Sequence, residues 1–273
     1  MAEWKAFTVR VAQQVAEVTL IGPGKHNAMG PEFWHELPLI FEQLDADPDV
    51  RAVVIAGAGR NFSVGLDLQT MNPVFSAVLA DRSLAAQRTS FHRTLCGMQD
   101  AITAVARCRK PVVAAVQGAC IGGGLDLITA ADIRYASADA KFSIREVKVA
   151  IVADVGSLQR LPRIVGEGNF RELAYTGKEI DAVHAEKVGL VNGILPDGVA
   201  VLRRARATAR EIAANPPLVV QGIKEIAECA HRDAVAAGLR YVAAWNSAFL
   251  PSEDLAEALD AVSTGREPRF AGR

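Results

Sequence analysis

Residues 111–126, PVVAAVQGACIGGGLD, decide how this chain folds. The apolar run 111–116 predicts a buried strand, the glycines predict a sharp turn, and the apolar residues after them predict a helix. The first N–H groups of a helix have no partner within it, and the helix dipole adds partial positive charge at that end. Gly122, Gly123 and Gly124 are therefore predicted to offer N–H groups to an anion.

Three carboxylates follow the turn, and each has apolar or small neighbours: Asp126, Glu146 and Asp154. Asp126 could simply cap or balance its own helix, and Glu146 could form a surface ion pair with the adjacent Arg145. Asp154 has no adjacent partner, and an unpaired acid among apolar residues is costly unless it is used. Donor groups with acids around them predict an enzyme that stabilises an oxyanion and moves protons.

Composition limits the class of protein. Half of the 273 residues are apolar, and 30 Lys and Arg nearly balance 31 Asp and Glu, so neither disorder nor nucleic-acid binding is predicted. Four scattered cysteines without ligand spacing argue against zinc and predict a reduced, cytoplasmic protein. The ends of the chain show no targeting signal, and no apolar run is long enough to span a membrane.

The order of predicted elements indicates an α/β fold. Residues 7–20 predict a hairpin, 50–56 a second buried strand, and 61–67 a second glycine-containing turn. Residues 70–82 have little periodicity and predict a mobile loop near a ligand entrance, whereas an amphipathic helix is predicted from Phe91. The late part is all helical, with helices predicted at 198–214, 217–230, 232–249 and 252–264. We therefore predict a core at 1–197 and a helical C-terminal region at 198–273.

Several common enzyme motifs are absent. The glycines of 118–124 have the wrong spacing for a dinucleotide fingerprint, and Gly24-Lys25 is followed by His26 instead of the Ser or Thr of a phosphate-binding loop. Ser63 is not in a GxSxG motif, which argues against a serine hydrolase. Nucleotide cofactors are disfavoured.

The chain resembles the crotonase (enoyl-CoA hydratase/isomerase) superfamily along nearly its whole length. The resemblance is carried by KHNAM (25–29), AVVIAG (52–57), FSVGLDL (62–68), PVVAAVQG (111–118), IGGG (121–124) and ADIR (131–134). It implies a spiral of ββα units with a helical C-terminal trimerisation region, assembled as a homotrimer or as a hexamer made of two trimers. The implied substrate is an acyl-CoA thioester, with no further cofactor and no metal.

The resemblance also implies roles for individual residues. The N–H groups of Leu66 and Gly123 match the two donors of the superfamily's oxyanion hole. The region that wraps coenzyme A matches a larger set: Lys25, Ala28, Gly65, Asp67, Leu68 and Gly124.

The acids distinguish activities within the superfamily. The acid set of this chain resembles that of the enzymes that convert 3,5-dienoyl-CoA to 2,4-dienoyl-CoA. It consists of Asp126, Glu146 and Asp154, with Asn246 near the C-terminus. That isomerisation takes a proton from C2 and adds one at C6, so two separate acids are needed. We expect Glu146 to act at C2 and a protonated Asp154 at C6.

Three alternatives stay open. The first is an enoyl-CoA hydratase in which Asp126 and Glu146 hold a water. The second is a binding module without catalysis, and the third is a thioester hydrolase or decarboxylase on the same scaffold.

Overall fold

The structure is a computed structural model that describes residues 3–79 and 84–273. These residues form two sheets, one of six strands in the order β1-β2-β3-β4-β6-β9 and one of three in the order β5-β7-β8. The strands are β1 (Phe7–Ala12), β2 (Val15–Leu20), β3 (Ala52–Gly57), β4 (Val112–Val116), β5 (Ala119–Ile121), β6 (Ile133–Ser137), β7 (Lys141–Ser143), β8 (Ile180–Asp181) and β9 (Ile194–Leu195).

The described helices account for most of the remaining chain. They are α1 (Pro31–Ala46), α2 (Asn72–Leu79), α3 (Ala85–Arg107), α4 (Gly123–Thr129), α5 (Ser157–Val165), α6 (Glu167–Thr176), α7 (Ala182–Lys187), α8 (Gly198–Ala213), α9 (Pro217–Phe249) and α10 (Glu253–Thr264). The prediction of an α/β fold with a helical C-terminal region is confirmed.

The central strands β3 and β4 of the large sheet are buried on both faces, which explains their continuous apolar sequences. β1 and β2 form the predicted antiparallel hairpin, and β2, β3, β4, β6 and β9 are parallel. Along β3, Val53 and Ile55 face the main core, whereas Val54 faces α8, where Ala205 and Ala209 let the helix approach closely. Parallel strands with both faces covered are expected to be apolar throughout.

The segment 70–82 differs from the predicted mobile loop. Residues 72–79 form α2, which buries Phe75 and Val78, and residues 80–82 lie outside the described residues. Pro73 stands in the first turn of α2, where its missing N–H costs nothing. Tertiary contacts stabilise this short helix, and its sequence has no helical periodicity that would predict it. α3 likewise begins at Ala85, ahead of the predicted start at Phe91.

The helices predicted at 217–230 and 232–249 are wrong as separate elements, because α9 is continuous over 33 residues. Neither Gly nor Pro stands between them, so nothing ends the helix. The residues that α9 buries all lie in its C-terminal half, the earliest being Leu239. The residues after 197 are helical, but α8 covers the sheet, and the domain boundary at 197 stays a prediction.

Within residues 3–79 and 84–273, no helix has the length and hydropathy needed to cross a bilayer.

Candidate active site

Two turns that are far apart in sequence meet at the centre of the site. The 61–67 turn is held by backbone hydrogen bonds from Met29 N to Gly65 O (2.8 Å) and from Asp67 N to Met29 O (3.1 Å). These bonds flank Leu66, and its N–H has no acceptor among the described residues. The N–H of Gly123, at the start of α4, is likewise unpaired there.

Only glycine lets the two turns approach each other. Gly65 has φ +84°, and a Cβ atom on it would lie 2.7 Å from Ile121 O and 3.1 Å from Gly123 N. The turns carrying Leu66 and Gly123 are therefore in contact, as the predicted oxyanion hole requires. Gly122 does not join them, because its N–H donates to Ser143 O at 2.9 Å.

The first loop is fixed by Asn27, whose role the sequence did not show. Its buried side-chain amide donates to the carbonyls of Ala58 (2.9 Å), Asn61 (2.9 Å) and Phe62 (3.1 Å). The buried hydroxyl of Ser63 donates to Asn27 O at 2.8 Å. Asn27 has φ +57°, which asparagine tolerates better than most residues and which sequence patterns do not reveal. Ser63 is thus a structural hydroxyl.

An apolar pocket of about 870 Å³, measured with its open mouth, runs from these turns. α2, the predicted mobile loop, contributes Val74 and Phe75 to its wall, and α3 contributes Phe91 and Leu95. The lining includes three of the predicted site residues other than the acids, which are Leu66, Leu68 and Gly123.

The other residues predicted to wrap coenzyme A lie around the pocket without lining it. Lys25 is exposed and Ala28 is half-buried on the loop before Met29. Asp67 caps its own turn, because its Oδ1 accepts the N–H groups of Gln69 (3.0 Å) and Thr70 (3.2 Å). Gly124 packs on Ser63, where a Cβ atom would lie 2.8 Å from Ser63 O.

The three acids come from three different elements. Glu146 begins a short 3-10 turn, Asp154 lies in the segment before α5, and both line the pocket. Asp126 is on α4 and has no exposed surface. It does act as a cap, but of α5, since its Oδ1 accepts the N–H of Ser157 at 2.5 Å. Among the described residues Glu146 forms no ion pair with Arg145.

Asp126 and Glu146 form a coupled carboxyl pair. Asp126 Oδ2 and Glu146 Oε2 are buried and have no other hydrogen-bond donor within the described part of the chain. Burial, followed by the charge of Asp126, raises the pKa of Glu146 well above its ordinary value. Burial also raises the pKa of Asp126, but hydrogen bonds from Ser157 and the charge of Arg160 oppose that rise. When the pair takes up one proton, that proton can lie between the two carboxyls and satisfy both oxygens, and when the pair has lost it, Glu146 is ionised and can act as a base.

Asp154 is held separately by α9. Its Oδ2 accepts a hydrogen bond of 2.6 Å from the side-chain amide of Asn246, which also donates to Val152 O at 2.9 Å. The amide of Gln99 donates to the backbone carbonyl of Asp154 at 2.7 Å. Burial raises the pKa of Asp154 to about 7 although the Asn246 hydrogen bond lowers it. Asp154 can therefore exchange a proton near neutral pH.

Comparisons with known proteins agree with this geometry. Residues 10–273 match the model of a family described as enoyl-CoA hydratase/isomerase. The chain belongs to the enoyl-CoA hydratase/isomerase family. A solved enoyl-CoA hydratase/isomerase from Mycobacterium paratuberculosis superimposes with a TM-score of 0.81 at 30% identity, covering 93% of this chain and 97% of that one. The predicted crotonase-type fold is confirmed.

Two relatives in this family are named for the same activity. The peroxisomal Delta(3,5)-Delta(2,4)-dienoyl-CoA isomerase of Arabidopsis thaliana is 43% identical over 91% of this chain and 90% of its own length. The mitochondrial enzyme of that name from Homo sapiens is 40% identical over 97% of this chain and 81% of its own. The resemblance to these isomerases, which the acids indicated, is confirmed.

The same two relatives contradict the predicted cytoplasmic location, because they are named as a peroxisomal and a mitochondrial enzyme. The prediction rested on unpaired cysteines, and these argue only against an oxidising compartment. They do not distinguish the cytoplasm from the interior of an organelle.

Proposed function

We propose that this enzyme converts 3,5-dienoyl-CoA thioesters to 2,4-dienoyl-CoA thioesters in the β-oxidation of unsaturated fatty acids. One observation carries the proposal: two carboxyls with raised pKa, Glu146 and Asp154, line one apolar pocket that ends at two backbone N–H groups without an acceptor among the described residues. The names of the relatives described above support the same substrate. The chemistry needs two proton carriers, and the pocket holds two.

The thioester oxygen is placed between the N–H groups of Leu66 and Gly123. When a proton leaves C2, negative charge spreads onto this oxygen, and each fixed donor is worth roughly 3 kcal/mol of barrier. The turn at 65–68, with Lys25 and Ala28 beside it, is proposed to hold the coenzyme A part. Gly124 serves by packing on Ser63. We propose no cofactor and no metal, since coenzyme A arrives with the substrate and backbone donors stabilise the charge.

Glu146 is proposed to take the C2 proton. Its Oε1 lies over Gly122, where a Cβ atom would be only 3.1 Å away, so the carboxylate stands beside the oxyanion turn. Because C2 is bonded to the thioester carbon, a thioester oxygen bound at this turn brings C2 close to the Glu146 carboxylate. The charge of Asp126 increases the proton affinity of Glu146, which makes the ionised Glu146 a stronger base.

Asp154 is proposed to deliver the second proton to C6. It lines the same pocket as Glu146 but from a different segment, which Asn246 holds in place. The dienolate then collapses to the conjugated product. Glu146 ends the step with one proton more and Asp154 with one fewer, and exchange with solvent restores both.

The pH dependence of kcat/KM tests the role of Asp154. Because Asp154 must be protonated to donate and its pKa is about 7, kcat/KM is expected to fall as pH rises through about 7. Ionisation of Glu146, whose pKa is also raised, changes the rate in the opposite direction, so the profile is expected to be bell-shaped, and the absence of a falling arm would contradict a protonated Asp154 as the donor. The control is the variant Asp100→Asn, on the outer surface of α3, which is expected to keep the wild-type profile.

The activity itself is tested by ultraviolet absorbance with 3,5-octadienoyl-CoA. Rapid growth of the conjugated 2,4-dienoyl thioester band is expected. A hydratase is the competing outcome, because Asp126 and Glu146 could hold a water and one relative at 33% identity is named a (E)-benzylidenesuccinyl-CoA hydratase. No conjugated band, with fast water addition to a 2-enoyl-CoA, would reject the isomerase.

We further propose that the chain assembles as a homotrimer or as a hexamer of two trimers. The N-terminal half of α9 leaves Leu218, Ile223 and Ile226 exposed, and Tyr241 and Phe249 are exposed nearer its end. Exposed apolar surface of this extent is typical of subunit contacts. Light scattering after size exclusion is expected to give three or six times the 29.1 kDa chain mass, and a monomer would contradict the proposal.

A further inference from the structure

Arg160 is a buried cation that the proton transfers described above do not use. Its side chain is only 7% exposed, and its Nη2 donates to Thr103 Oγ1 at 3.0 Å. Its Nη1 is buried and has no hydrogen-bond acceptor among residues 3–79 and 84–273. A buried guanidinium with an unpaired nitrogen is costly, so a nearby negative charge is expected to offset the cost.

The fold creates room for this guanidinium at the start of α5. Gly156, which precedes α5, has φ +142°, and a Cβ atom there would lie only 1.8 Å from Arg160 Nη1. The guanidinium therefore lies directly against the Gly156 peptide. The next N–H along the chain, that of Ser157, is the one that Asp126 accepts at 2.5 Å. Arg160 and the Asp126 carboxylate thus meet at the same end of one helix.

The charged groups around this contact act on Asp126 in opposite directions, and burial raises its pKa. Arg160 faces Asp126 from α5, with Glu228 of α9 and Arg107 of α3 on its other side. Asp126 faces Glu146 and Asp154, and the thiol of Cys120 from β5. Hydrogen bonds from Ser157 and Glu146 and the positive charge of Arg160 lower the pKa of Asp126 against the effect of burial.

We propose that Arg160 is a positioning residue that acts through Asp126: its guanidinium, packed against Gly156, holds the Asp126 carboxylate ionised, so that a proton taken up by the Asp126–Glu146 pair lies on Glu146. This inference rests on the proposed function, in which Glu146 receives the C2 proton. The proton that leaves C2 then has a fixed destination, and Asp126 stays an anion throughout the step. Arg160 touches neither substrate nor reacting atoms.

The test titrates the carboxyl pair by infrared difference spectroscopy without substrate, so that it does not depend on which thioester the enzyme accepts. The wild-type protein is expected to show a protonated-carboxyl band that Glu146→Gln removes. In Arg160→Met the midpoint of the pair's titration is expected to move upward by about one pH unit or more, because an opposite charge has been lost. In Arg160→Lys, which keeps the charge, the midpoint is expected to move by less than half as much.

Arg163→Met is the matched control, because Arg163 is on the same helix but its side chain is 39% exposed and faces Glu228 at 3.6 Å. It is expected to leave the midpoint unchanged. An unchanged midpoint in Arg160→Met, or equal shifts in the Met and Lys variants, would overturn the proposal. If Arg160→Met does not fold, Thr103→Val, which releases Nη2, is expected to give a smaller upward shift, and no shift there would overturn it.

The same variants separate this inference from the proposed function. If the enzyme does not turn over dienoyl-CoA but its titration midpoint depends on Arg160, the inference about Arg160 is supported and the proposed substrate is rejected. If the enzyme isomerises dienoyl-CoA but its midpoint does not depend on Arg160, the proposed function is supported and the inference about Arg160 is rejected.

Discussion

Replacement of Glu146 by Gln is expected to lower the rate of dienoyl-CoA isomerisation by about two to four orders of magnitude, the usual contribution of a general base. Exchange of the C2 hydrogen with deuterated water is expected to disappear with it, since Glu146 is the carboxylate that stands beside Gly122 in the oxyanion turn. The amide of Gln has the same size and can donate to the orphan Asp126 Oδ2, so we expect the fold to be kept.

The measurement pairs the absorbance assay with C2 exchange followed by NMR. Glu186→Gln, an exposed change on α7, is the control for the substitution itself and should behave as wild type. Full C2 exchange in Glu146→Gln would mean that another group, with Asp154 as the first candidate, takes the proton.

Replacement of Asp154 by Asn is expected to cause a loss of similar size, about two to four orders of magnitude, but of a different kind. Glu146 and the N–H groups of Leu66 and Gly123 are untouched, so C2 exchange is expected to continue while product formation stops. The amide oxygen introduced by Asp154→Asn can still accept the hydrogen bond from Asn246, which keeps the segment before α5 in place. Exchange without isomerisation would separate the first proton transfer from the second.

The outcome that would contradict this division of labour is loss of C2 exchange in Asp154→Asn with exchange retained in Glu146→Gln. The two acids would then have exchanged roles. Retention of full isomerase activity in Asp154→Asn would remove Asp154 from the mechanism altogether and would require another group to deliver the proton to C6.

Sequence patterns predicted the elements that owe little to distant contacts. The hairpin at 7–20, the strand before the glycines and the helix capped by Ser252 follow from alternation, turn residues and caps. In the predicted helix at 252–264, Ser252 Oγ accepts the N–H of Leu255 at 3.1 Å and thereby caps α10. By contrast, α2 owes its existence to the core contacts of Phe75 and Val78, and no local pattern predicted it.

The residues of the site also differ in whether local sequence predicts them. The glycines that must have positive φ, Gly65 and Gly122, are visible in the sequence because few other residues tolerate that conformation. Local patterns do not show the partners of the acids, because Asn246 is 92 residues from Asp154 and Ser157 is 31 from Asp126, and only the family resemblance singled out Asn246. Asn27 was missed for the same reason, since all its acceptors are more than 30 residues away.

The sequence by itself determined the α/β class, the family resemblance, the two donor turns and the identity of the three acids. These depend on residue type and on short spacing, which the chain carries locally. Only the tertiary structure decided that Asp126 is coupled to Glu146 and backed by Arg160, while Asp154 is held by α9. The physical reason is that a buried carboxyl's pKa and hydrogen bonds depend on the groups that folding places around it.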